Sequence, residues 1–162
     1  RAELRQLLGH SDPGVRGRAA AALSTIVGPS DPERDAVARA VVPLLTDPHG
    51  YPRSSAATAL AWLDYRPAIH PIVALLDDSD TNTYDLRGYT LLDGTPGFAH
   101  HDGSPWSRVN DAALRALQAF SARLGQRFTF DVDQERVDGD LRVAADVGRA
   151  WYQRVRAELP QP

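Results

Sequence analysis

The sequence predicts an all-α fold: a right-handed α-α superhelix of about three helix pairs, with a long loop insertion and a capping C-terminal helix. Three observations carry the expectation. First, the chain repeats itself. Residues 7–23, LLGHSDPGVRGRAAAAL, return 37 positions later at residues 44–60 as LLTDPHGYPRSSAATAL. A third copy opens with LLDD at Leu75 and closes with VNDAALRAL at Leu117. Second, apolar residues recur at helical spacing throughout. Third, Asp-Pro pairs and Gly-Pro punctuate the pattern where helices start and stop. Paired helices at a period of roughly 30–50 residues stack, because one pair cannot bury its faces alone.

The elements follow in order. Leu4, Leu7 and Leu8 share one face of a first helix. Asp12 is the expected N-cap of the second, with Pro13 at its first position. Its predicted buried stripe is Val15, Ala19, Ala22, Leu23 and Ile26, and Gly28-Pro29 ends it. Asp31-Pro32-Glu33 starts a third helix with Val37, Ala40, Val41, Leu44 and Leu45 inward, kinked at Pro43. After the turn Asp47 to Gly50, a helix over 51–63 presents Ala56, Ala59, Leu60 and Leu63. Pro67 then starts Ile69, Ile72, Val73, Leu75 and Leu76, with Pro71 inside. Finally, Asp140 is expected to cap a helix running to about Leu159. Its apolar face is Leu141, Ala144, Val147, Ala150, Trp151, Val155 and Leu159.

At 162 residues and 43% hydrophobic, the chain is a single domain, 1–162, able to bury a core. No apolar run approaches the roughly 18 residues of a membrane span, so no membrane partner is expected. No cysteine is present, which excludes disulfide and thiol chemistry. The formal charge is −3, giving no bulk reason to bind nucleic acid. All 18 basic residues are Arg, and Asp outnumbers Glu by 17 to 4. That bias is one of high-GC coding, so arginine richness has no functional weight. A bacterial, cytoplasmic protein is expected; the lack of Met suggests a fragment or a processed form, and the helical pattern of the start, RAELRQLL, suggests an earlier helix.

The third copy is split by an insertion, 79–108, at a turn that takes four residues in the first copy. It is rich in Gly, Pro, Asp and Thr yet carries Tyr84, Tyr89, Phe98 and Trp106. Disordered segments are poor in aromatics, so an ordered functional loop is expected. Asp77, Asp78, Asp80, Asn82 and Asp85 suggest a calcium-like spacing, D-x-D-x-N from Asp78. The EF-hand glycine and glutamate positions hold Thr83 and Tyr89, however, so capping and turn roles are preferred. His100-His101-Asp102 could ligate a metal or act as a base, but no third ligand is placed. No metal or cofactor is expected. Tyr84, Arg87 and Tyr89 are of interface-enriched types and equally suit pinning the loop to its own scaffold. Trp106 is either a staple on the following helix or a binding anchor. Arg16 and Arg53 could line an anion-binding surface or brace the packing.

These residues together resemble a HEAT-repeat protein of the short-repeat kind that includes the HEAT-like repeats of phycobilisome lyases. The resemblance covers about residues 1–124. It rests on Leu7-Leu8, Val15-Arg16, Ala19-Ala20 and Leu23 in the first copy. Leu44-Leu45, Asp47, Arg53, Ala56-Ala57 and Leu60 carry it in the second, and Leu75-Leu76, Asp78 and 109–117 in the third. It implies an Asp–Arg ladder between repeats, matched by Asp47 and Arg53. His10 stands at the first Asp position and Asn110 at the third Arg position. The segment 125–162, with Gly125, Phe128, Asp131 and Trp151-Tyr152, resembles a closing module of such arrays.

The function expected from this is a non-catalytic scaffold. It binds a protein partner through the 79–108 loop and adjacent helices, with Arg16, Arg53, Tyr84, Arg87, Tyr89, Phe98, His100, His101, Trp106 and Arg108 as contact residues. The phycobilisome-lyase resemblance leaves open an enzyme or lyase subunit, in which His100, Asp102 or Tyr89 would converge on a pocket under the insertion. A nucleic-acid reader ranks last and would need a continuous basic groove.

Overall fold

The computed structural model describes residues 1–80, 108–129 and 137–160, with the side chains of the last helix described from Leu141 onward. The described residues form seven α-helices and no strand: α1 (Ala2–Leu7), α2 (Pro13–Val27), α3 (Arg34–Val41), α4 (Gly50–Trp62), α5 (Ile69–Ala74), α6 (Val109–Arg123) and α7 (Val137–Val155). Three short 3₁₀ turns, Val42–Thr46, Arg66–Ala68 and Leu75–Asp77, follow α3 and flank α5. No described helix is long and apolar enough to cross a membrane.

Local chemistry explains the helix ends. The Asp12 carboxylate accepts hydrogen bonds from the N–H groups of Gly14 (2.7 Å) and Val15 (3.3 Å), satisfying donors that the first turn leaves open. Gly28 closes α2 with φ +66°, a conformation in which a Cβ would be strained. Pro43 does more than kink α3: the α-helix stops at Val41, and a 3₁₀ turn carries Leu44 and Leu45 into the core. Pro71 sits in the first turn of α5, where it removes no helical hydrogen bond. Asp140 lies inside α7, which begins three residues earlier at Val137, and α7 ends at Val155 rather than near Leu159.

Helix α4 is the centre of the packing, lying against α2 on one side and α6 on the other. Helices α1, α3 and α5 pack against α2, α4 and α6 respectively. Small residues permit the close approach of α2 and α4. A Cβ built on Gly17 would fall 2.4 Å from Cε1 of Tyr51. Ala19, Ala20, Ala56 and Ala57 are buried with it. This packing turns α2 by one residue from the predicted face: Ala20, Leu23 and Val27 are buried, whereas Val15 and Ala22 are half-buried and Ile26 is exposed. Leu7 is likewise exposed, with Leu8 inward. The α4 stripe Ala56, Ala59, Leu60 and Leu63 is buried as expected.

Helix α7 covers α5 and α6. Gly148 lies on the inward face, where an added Cβ would fall 3.2 Å from Leu114 Cδ1 and 3.6 Å from Leu76 Cδ1, and Val147 and Ala150, expected inward, face solvent. Trp151 is fully buried, its ring 5.4 Å from that of Phe128. Beside it, His70 bridges the Tyr152 hydroxyl (Nδ1, 2.9 Å) and the Pro160 carbonyl (Nε2, 3.0 Å).

Candidate binding surface

The turns preceding α2, α4 and α6 are linked by two arginines. Arg16 on α2 donates from Nε to Asp47 Oδ2 (2.7 Å) and from Nη2 to Asp47 Oδ1 (2.8 Å). Its Nη1 reaches the carbonyls of His10 and Ser11. Arg53 on α4 repeats the arrangement one helix pair later. Its Nε and Nη2 donate to Asp78 (2.6 and 3.1 Å), and its Nη1 donates to the Asp47 carbonyl (2.7 Å). Each arginine thus bonds the carbonyl six residues before it and the carboxylate of the next turn. Both guanidinium groups are largely buried, and every nitrogen is engaged inside the chain. Of the two readings weighed for Arg16 and Arg53, these contacts favour bracing over anion binding.

Burial pushes the Asp47 carboxyl up, but the Arg16 hydrogen bond and the His49 N–H outweigh it and hold the group below its ordinary value. The departures from the ladder, His10 and Asn110, fall at its two outer positions. At Asn110, the backbone N–H donates to the Asp78 carbonyl (2.9 Å), while the buried side-chain oxygen has no hydrogen-bond partner among the described residues.

The calcium-like carboxylates have the same role. Asp78 and Asp80 both accept from Arg53, and Asp77 pairs with Arg149. Asn82 and Asp85 lie outside the described residues. The ends of the insertion are tied together: the Val109 N–H donates to the Asp80 carbonyl (3.0 Å) beside the Asn110–Asp78 bond. Arg108 stands at this base, on the rim of a cleft of about 610 Å³ that Asn110, Arg142 and Arg149 also line. Arg149 is held there by Asp77 and Asp146. Tyr84, Arg87, Tyr89, Phe98, His100, His101 and Trp106 lie outside the described residues, as does Asp102.

A second surface was not anticipated. On the face shared by α2, α4 and α6, two apolar pockets of about 450 and 440 Å³ flank α4. Both are bounded by Thr58, Trp62 and Ala112, so they form one groove interrupted by the Trp62 ring. Trp62 is 55% exposed, an unusual position for the largest apolar side chain of its helix, in which Leu60 is fully buried. The walls are small: Ala21 and Ser55 on one side, Ala116 and Ala119 on the other. The signal in the sequence was the stripe Ser55, Thr58, Trp62, at i, i+3 and i+7, opposite the buried alanines. A helix whose core face is alanine and whose solvent face ends in tryptophan has its polarity of size reversed.

No family model, curated protein or solved structure matches this chain.

Proposed function

We propose that the chain is a HEAT-like helical-repeat module, without catalysis of its own, that binds a protein partner. The three helix pairs α1–α2, α3–α4 and α5–α6 are its repeats, wound as a right-handed solenoid, and α7 closes the array. The sequence repeat supports this reading, and so does the arginine ladder, whose two rungs follow that repeat. Binding uses the groove on α2, α4 and α6 together with the 79–108 loop. The observation that carries the binding reading is the exposed Trp62 between two apolar pockets. Interface anchors are enriched in tryptophan and arginine and sit beside pockets in this way.

The test compares three baits in a pull-down from source-cell lysate, read by mass spectrometry. One is the chain itself. One has residues 79–108 replaced by the turn sequence of residues 11–14. One carries Trp62→Ala. A partner retained by the first and lost from either variant supports the reading and says which surface matters. A catch common to all three overturns it.

A further inference from the structure

The first helix pair carries an apolar face that the other two pairs keep covered. Leu4 and Leu7 on α1, with Val15, Ala22 and Ile26 on α2, are half-buried or exposed, Leu7 at 37% and Ile26 at 52%. The sequence repeat gives these residues counterparts. Leu7 answers to Leu44 and Leu75, Ala22 to Ala59 and Ala116, and Ile26 to Leu63 and Phe120. All six counterparts are buried, none more than 8% exposed. The apolar residue is thus kept in the first pair while its cover is not.

The packing shows where that cover belongs. Gly17 and Ser24 of α2 face α4: a Cβ on Gly17 would meet the Tyr51 ring, and Ser24 lines the pocket between the two helices with Ala59. Val15 and Ala22 stand two residues before them, roughly 200° around the helix and so on its far side. Ala59 is turned toward α2 in the second pair, and Ala116 toward α4 in the third. In both, the preceding second helix meets this face with small residues: Gly17, Ala21 and Ser24 on α2, Thr58 and Ala61 on α4.

Resting on the reading of the three pairs as repeats, we infer that the outer face of α1 and α2 is a docking surface for a further helix pair of the same kind, whose second helix presents small residues to Val15, Ala22 and Ile26. The surface continues the α2–α4 and α4–α6 interfaces by one step, and that continuity sets the chemistry of its partner. A second copy of this chain does not supply it. On α6, the positions of Gly17, Ala21 and Ser24 hold Asp111, Arg115 and Gln118, and α7 packs on that helix. The partner is held by packing rather than by a further arginine rung, because His10 stands where Asp47 and Asp78 accept theirs. Aliphatic side chains taken out of water supply the attraction, as they do between the pairs of the chain itself.

The experiment places a duplicate of residues 1–37 ahead of Arg1 in the full chain. Residue 37 then leads into Arg1 as it natively leads into Ala38, so the added α2 falls one repeat before the native one. The expected result is added helix, with amide exchange in the native α1 and α2 slowed by at least about 10-fold. Changing the native Ile26→Ala should then lower the urea midpoint, whereas in the original chain it should leave the midpoint almost unmoved. A duplicate that is helical yet leaves the exchange and the Ile26→Ala effect as they were overturns the inference and leaves the repeat reading standing. A duplicate that gains no helix overturns both. Sedimentation of the original chain is the third arm. A monomer is expected, and a dimer that Ile26→Glu dissolves would assign the face to a second copy and overturn the small-residue partner.

Discussion

Asp47 receives Arg16 from the preceding helix pair through two hydrogen bonds of 2.7 and 2.8 Å, across 31 residues of chain. Its carboxylate is 5% exposed and the guanidinium 12%. Two charges removed from water are stable only when each satisfies the other, and taking one away leaves the second buried and unpaired. Asp47→Ala is therefore expected to lower stability by about 3 kcal/mol, read as a shift of the urea midpoint. Arg16→Met with Asp47→Leu should recover much of that loss, because no buried charge remains. A double variant as unstable as the single one would show that the pair's value is not electrostatic.

How much of this was legible depends on how local each cause is. The Asp12 cap acts within one turn, so residue order was enough to place it, whereas Pro43 was expected to kink its helix and instead ends it at Val41. The Asp47–Arg53 spacing was visible, but the carboxylate that Arg53 takes is Asp78, and Asp47 goes to Arg16. That choice depends on how helix pairs stack. In α2, almost every position is small, so hydrophobicity barely distinguishes its faces, and the Gly17–Tyr51 approach decides which one turns inward. The Trp62 groove was missed because the core stripe Ala56, Ala59, Leu60 and Leu63 leaves Trp62 out, and the sequence reading gave it no role of its own, although the buried positions around it are already filled by alanine and leucine.

Gly17→Ala tests the close approach directly. In an open helix this change stabilises by about 1 kcal/mol. Here the new methyl would meet the Tyr51 ring at 2.4–2.5 Å and Ser55 Oγ at 3.0 Å. Overpacking of this kind costs about 1–3 kcal/mol, so a net loss is expected. Tyr51→Ala in the same chain should restore the usual sign of Gly→Ala. Thermal unfolding of the four proteins in the cycle gives the coupling, and simple additivity would refute a steric origin.

Helix α7 is held by one large apolar anchor and one polar clasp. Trp151→Ala removes a fully buried ring packed at a tilt beside Phe128 and should cost about 3–5 kcal/mol. Tyr152→Phe removes only the bond to His70 Nδ1 and should cost about 1 kcal/mol. Hydrogen exchange separates the two. The Phe variant should lose protection in α7 alone, and the Ala variant across α5 and α6 as well. Equal protection losses in both would mean that the clasp and the anchor are one cooperative unit.

Two buried carboxylates give stability opposite dependences on pH. Asp47 has its folded value held below the ordinary 3.8, so its contribution is complete above that pH and is lost as pH falls through the folded value. Asp111 is the reverse case. Burial raises its value despite Arg115, so ionising it costs stability, and the cost appears as pH rises past 3.8. Asp31, held low by the Glu33 N–H, acts like Asp47 but is common to every variant and cancels in differences. The stability of the wild type minus that of Asp47→Asn should accordingly shrink as the solution is acidified below 3.8. The same difference taken with Asp111→Asn should grow on acidification. Denaturant titrations at a series of pH values measure both differences, and the signs distinguish the cases without any absolute value. Two parallel curves would mean that neither carboxylate is perturbed by folding, and the ladder would then carry no pH-dependent stability.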